Sequence, residues 1–123
     1  MDCMKDTLDT LRINVSDVRA RAHRTANQGM CSPYVAVKLV PGTGGAVALA
    51  KVRTATRSRT LFPLYDETFD LVVPESSGPD RTFLLFAVKD RGPLGDKILL
   101  GEAVLPLQNI PIRYFKKTGG KPR

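Results

Sequence analysis

The sequence predicts an all-β domain, an antiparallel sandwich of short strands. Three observations carry this. Apolar and polar residues alternate with a period of two in several segments. Turns rich in proline and glycine separate those segments at intervals usual for sandwiches. No segment shows the apolar stripe of an amphipathic helix.

Residues 1–10 read as an extension, or as the end of a preceding element. The first strand covers 11–16, where Leu11, Ile13 and Val15 alternate with Arg12, Asn14 and Ser16. PYVAVKLVP repeats the signal, with Val35, Val37 and Leu39 on one face and Tyr34, Ala36 and Lys38 on the other. PGTGG (41–45) is a turn, and a strand over 47–56 follows it. LFPLYDETFDLVV then places Phe69, Leu71 and Val73 on one face. After the loop PESSGPD, TFLLFAVKD (82–90) is apolar without a break from Phe83 to Val88, which predicts a central strand covered on both sides. RGPLGDK (91–97) is a loop, and a short strand lies near 102–107. Tyr114 and Phe115 read as a last strand closing the sandwich rather than as residues dipping into a bilayer. The end, 118–123, is a basic tail.

With 123 residues one domain is expected, spanning 11–117. No apolar run reaches the roughly 18 residues of a spanning helix. MDCMKDTLDT lacks the apolar stretch of a signal peptide, so the expected location is cytoplasmic. Cys3 and Cys31 are read as reduced thiols. Asn14-Val15-Ser16 matches a glycosylation sequon but lies within a strand pattern. Two cysteines and one histidine give no zinc spacing. No nucleophile–base pair, nucleotide loop or metal motif is present, which argues against an enzyme; His23 has no recognisable partner.

The formal net charge is +7, from 19 Lys+Arg against 12 Asp+Glu. A basic protein favours polyanions. KVRTATRSRT concentrates the charge. As one strand, it would line Lys51, Arg53, Arg57 and Arg59 along roughly 26 Å of sheet face. The same alternation would also serve merely to solvate an exposed sheet and block edge pairing. Nucleic acid is not expected, because no base-stacking aromatics interleave with these cations.

Three segments together are similar to a C2 domain, the eight-stranded Greek-key β-sandwich of protein kinase C and the synaptotagmins. CSPYVAVKLVP (31–41) resembles SDPYVKVxLxP. KVRTATRSRTLFPLYDETFDL (51–71) resembles KxKTKxxxKTLNPxFNExFxF. VKDRGPLGDKILLGEAVLPL (88–107) resembles VxDxDxxxxxDxxGExxxPL. TLFPLYDETFDLVVPE and LLGEAVLPL further resemble the C-terminal C2 domains of the uncoordinated-13 vesicle-priming family. In this motif Pro63 turns the chain, Asp66 or Glu67 accepts backbone hydrogen bonds near the turn, and Gly101 opens a strand where backbones approach closely.

The resemblance implies that calcium is not bound. Family members that bind it use loop aspartates as oxygen ligands. Here Ser32 and Ala26 occupy the first-loop positions, and Gly92 and Ile98 two of the third-loop positions. Asp90 is in place and Asp96 is displaced by two residues, both being remnants of such a site. The first loop carries Arg19, Arg21 and Arg24 and no acid between 18 and 29, so its rim would be positive without metal, or simply solvated. Met30 and Leu94 near the loop tips would enter lipid or serve no such role. The resemblance also implies that the basic sheet face binds anionic phospholipids, phosphoinositides above all. The residues expected to do so are Tyr34, Lys38, Lys51, Arg53, Arg57 and Arg59, with no cofactor. Ala36 and Ala55 stand where the family often has lysine. An acidic protein partner would satisfy the same face.

Overall fold

The structure is a computed structural model describing residues 9–17, 31–42, 47–60, 62–74, 78–92 and 95–117. It contains seven strands: β1 (Thr10–Asp17), β2 (Pro33–Pro41), β3 (Ala50–Arg53), β4 (Leu64–Val72), β5 (Thr82–Arg91), β6 (Lys97–Pro106) and β7 (Phe115–Lys116). Every pairing is antiparallel, in a three-stranded sheet ordered β4-β1-β7 and a four-stranded sheet ordered β3-β2-β5-β6. The described helical residues form only single 3-10 turns at 79–81, 107–109 and 112–114. The all-β sandwich expected from the sequence is therefore present, with seven strands described where eight were expected.

Period-two patterning supplies the core. Leu11 and Val15 from β1, Val35, Val37 and Leu39 from β2, Tyr65 and Leu71 from β4 and Leu84 from β5 meet between the sheets, with Phe115 of β7 closing one side. Tyr114, next to it, is exposed. On the outer side of the three-stranded sheet, Arg12 of β1 donates to both carboxylate oxygens of Asp70 on β4, at 2.8 and 3.0 Å. Lys116 of β7 reaches the same carboxylate at 3.3 Å. One side chain thus ties together all three strands of that sheet. Its carboxyl is held down to about 2, chiefly by the hydrogen bond from Arg12 and then by Lys116.

Four local expectations are corrected. β3 ends at Arg53 instead of running to 56, because the side chain of Thr54, in phase with the core-facing Ala50 and Val52, takes the place of a backbone carbonyl in the ladder. Its buried hydroxyl accepts from the Val35 amide at 2.9 Å and donates to Ala55 O at 2.9 Å. β5 is covered on one side only. Leu84, Phe86 and Val88 face the core, whereas Leu85, Ala87 and Lys89 line an open groove. β6 starts five residues before the expected strand, since a bulge after Leu99 interrupts the alternation that would have marked it: Val88 pairs with Gly101, but Lys89 pairs with Leu99. Nor does Gly101 serve close approach, because a Cβ built there meets nothing within 4 Å.

The register also sorts the loops by end. Pro33 opposite Asp90, Arg91 opposite Lys97 and Asp17 opposite Leu64 lie at one end of the sandwich, and Pro41 opposite Thr82 and Thr10 opposite Val72 lie at the other. The β3–β4 and β5–β6 connections therefore share one end.

Candidate functional site

The outer face of the four-stranded sheet is built by register. Across β3, β2, β5 and β6, one row reads Lys51, Lys38, Leu85, Val104 and the next Arg53, Ala36, Ala87, Glu102. A third runs Tyr34, Lys89, Leu99 over β2, β5 and β6. Ala36 and Ala87 sit opposite each other in the middle of the sheet, so two methyl groups stand where longer side chains surround them. The result is a groove of about 310 Å³ lined by these alanines with Lys38, Leu85, Lys89, Lys97, Leu99 and Glu102. Ala36, at a position where the family often has lysine, thus forms part of the floor. The bulge in β6 shifts the parity, so that Lys97, Leu99 and Glu102 all share the groove side.

Five cations surround the groove: Lys38, Lys51, Arg53, Lys89 and Lys97. One carboxylate, Glu102, faces them. None of the four lysines lies within ion-pair distance of a carboxylate among the described residues. Arg53 is held in place. Its guanidinium lies 4.0 Å from the centre of the Tyr34 ring, Nη2 donates to Thr56 Oγ1 at 3.1 Å, and Nε donates to Thr54 O at 3.3 Å. Stacking on an aromatic face leaves part of a guanidinium's donor fork free for an anion.

The expected site residues do not all meet here. Tyr34, Lys38, Lys51 and Arg53 share the face. Because β3 stops at Arg53, Arg57 and Arg59 leave the row. Arg57 Nε donates to Leu64 O at 3.0 Å, Nη2 lies 4.0 Å from Glu67 Oε2, and the guanidinium stands 5.7 Å from the Tyr65 ring centre. It braces the β3–β4 connection against β4. Glu67 meets its expected role, accepting from the Ala55 amide at 3.0 Å. Tyr65 donates its hydroxyl proton to Pro33 O at 2.6 Å, and burial foremost pushes that phenol up to about 12. Arg59, exposed, takes a left-handed φ of 52° in the turn, where its amide donates to Ser32 Oγ at 3.1 Å. Arg19, Arg21 and Arg24 lie outside the described residues, as do His23, Met30, Leu94, Cys3 and the tail 118–123.

Sequence reasoning missed Lys89 and Lys97. Lys89 directly follows the apolar run that ends at Val88, and Lys97 falls in the expected loop 91–97. The available signal was that Lys89 stands two residues beyond Ala87, on whichever face Ala87 takes.

At the end of the sandwich, Asp90 is buried at 1% exposure. Its Oδ1 accepts from the Ser32 amide at 2.8 Å, while Oδ2 has no hydrogen-bond partner. Asp96 is exposed, and its main-chain oxygen accepts from the Gly92 amide at 2.8 Å. Calcium requires six or more oxygen ligands. Among the described residues no three His, Cys, Asp or Glu side chains are grouped to hold a metal, and one Asp90 oxygen is already used by the backbone. Cys31, also buried here, is a free thiol donating to Thr60 O at 3.4 Å, and burial pushes it up.

Among the described residues no helix is long and apolar enough to cross a membrane. The C2 domain family model matches residues 9–120. The chain is similar to protein unc-13 homolog D of Rattus norvegicus, 38% identical over 86 residues, covering 69% of this chain and 8% of that protein. It is also similar to extended synaptotagmin-3 of Mus musculus, 40% identical over 99 residues, covering 74% of this chain and 11% of that one. The chain thus spans about a tenth of the length of these relatives. Among solved structures, a C2 domain of RIM from Drosophila superposes with a TM-score of 0.67 at 22% identity, over 89% of this chain and 83% of that one. That likeness shows the fold, and the unc-13 match bears out the kinship expected from the sequence. The chain belongs to the C2 domain family.

Proposed function

We propose that the chain is a calcium-independent C2 module that binds anionic membranes, phosphoinositides above all, through the groove of the four-stranded sheet. The observation that carries this is the ring of five cations around a floor of two alanines, opposed by Glu102 alone. Phosphate groups are satisfied by lysine point charges and by the fork of an arginine. Each cation near an anionic surface contributes about 1 kcal/mol, so five give about 5 kcal/mol, enough to hold a module that other domains assist. In this reading the module acts as a peripheral, cytoplasmic attachment unit in vesicle traffic, with no catalytic residue and no cofactor. It needs no metal, because the attraction resides in its own side chains.

An acidic protein segment is the second reading. Leu85 and Leu99 line the groove beside the lysines, which suits an extended chain carrying apolar as well as acidic side chains.

Co-sedimentation with vesicles containing a phosphoinositide, in chelator and across a salt series, separates them. The membrane reading expects retention that survives chelator, falls as salt rises, and is lost when Lys38, Lys51, Arg53 and Lys89 become Glu. A protein that stays in the supernatant at low salt sinks the membrane reading and leaves the acidic segment.

A further inference from the structure

The most anomalous element of the four-stranded sheet is β6. It is the edge of its sheet, ten residues long, and among the described residues no strand pairs with its free side. A strand in a sandwich normally buries one face, yet here both are open. Ile98 and Leu105 on the inner side are 40% and 37% exposed, and Leu99 and Val104 on the groove side 51% and 58%. An edge of that length and apolarity is a template for another strand.

The sequence of β6 limits what that strand can be. We propose that a second copy of this chain pairs its β6 antiparallel across a two-fold axis, with Lys97 opposite Glu102, Ile98 opposite Gly101 and Leu99 opposite Leu100. Charge chooses this register, since both copies place a cation against a carboxylate, on the groove side, twice per dimer. Shape agrees with it. Gly101 faces open space, nothing lying within 4 Å of a Cβ built there, which leaves room for Ile98 of the other copy opposite it. Facing agrees as well. The bulge leaves Lys97 and Glu102 on the groove side and Ile98 and Gly101 on the core side, so these opposed residues share a side, as antiparallel pairing requires. An interface of this kind is isologous, each half supplying what the other needs.

Pairing about an axis perpendicular to the sheet joins two four-stranded sheets into one of eight and keeps both grooves on the same side. If the groove binds membranes, two grooves then act together, and attachment gains avidity with no new lipid contact.

The test is sedimentation velocity or light scattering of the purified chain across a concentration series, at about 0.15 M salt so that the +7 charge on each copy is screened. A mass of twice the chain is expected to appear as concentration rises. Lys97→Glu and Glu102→Lys each place like charges opposite each other twice, and each is expected to weaken the dimer by roughly tenfold or more. The double reversal Lys97→Glu with Glu102→Lys restores the pairs and the dimer, a rescue that damage to the monomer fold would not produce. Circular dichroism confirms that the variants fold. A monomer at every concentration overturns the proposal, and so does a dimer that both single reversals leave intact. Either result leaves the groove reading standing, because a monomer still binds vesicles through its single groove, without the added avidity.

Discussion

The guanidinium of Arg53 on β3 lies 4.0 Å from the centre of the Tyr34 ring on β2, one strand over on the same sheet face. Tyr34 is 3% exposed, so a firmly packed ring aims a charge that would otherwise sweep through solvent. Arg53→Lys keeps the charge and loses the planar stack. It is expected to weaken phosphoinositide vesicle binding, though less than Arg53→Glu, as read by co-sedimentation. Tyr34→Ala empties a buried site and should cost about 3 kcal/mol in denaturant unfolding.

The groove lysines and Arg57 should behave in opposite ways. Lys38→Ala, Lys51→Ala and Lys89→Ala each remove one cation from the face, and each is expected to cut vesicle partitioning by about fivefold, with little change in melting temperature. Arg57→Ala is expected to cost on the order of 1 kcal/mol of stability, because Leu64 O loses its partner and Glu67 keeps only the Ala55 amide. Its effect on vesicle binding should be the smallest of the four. A larger binding loss from Arg57→Ala than from Lys38→Ala would place the contact surface elsewhere.

Calcium should leave the protein unchanged. A ligand present at a hundred times its dissociation constant stabilises the folded state by about 2.7 kcal/mol. Thermal melts in millimolar calcium and in chelator are expected to superpose, and a calcium-dependent rise would refute metal independence. Asp90 is needed for another reason. Asp90→Ala leaves the Ser32 amide without its acceptor, and should destabilise by about 1–3 kcal/mol with or without calcium.

Asp70 predicts an acid-side loss of stability. Its folded-state carboxyl is lowered from 3.8 to about 2 by Arg12 and Lys116. A depressed carboxyl contributes stability that is full above its unfolded value and is lost as pH falls through the folded one. The melting temperature should therefore drop between pH 4 and pH 2, and Asp70→Asn should flatten that part of the profile. An unaltered profile in the variant would show that the three-strand tie adds nothing.

The sequence by itself determined the class of fold, the apolar set of the core and the surplus of positive charge. Alternation is a local property. Leu11 with Val15, and Val35 with Val37 and Leu39, declare their buried face with no knowledge of the partner strand. Parity within one strand also puts Tyr34 with Lys38, and Lys51 with Arg53, on the outer side of their strands, while only the resemblance suggested a role for them. What only the tertiary structure decided was where strands stop and what lies beside what. Thr54 ends β3 by bonding to a strand 19 residues away in sequence, and that removes Arg57 and Arg59 from the face. Lys89 and Lys97 join the face through register with Tyr34 and through a bulge in β6, and register between distant segments leaves no trace in either segment alone.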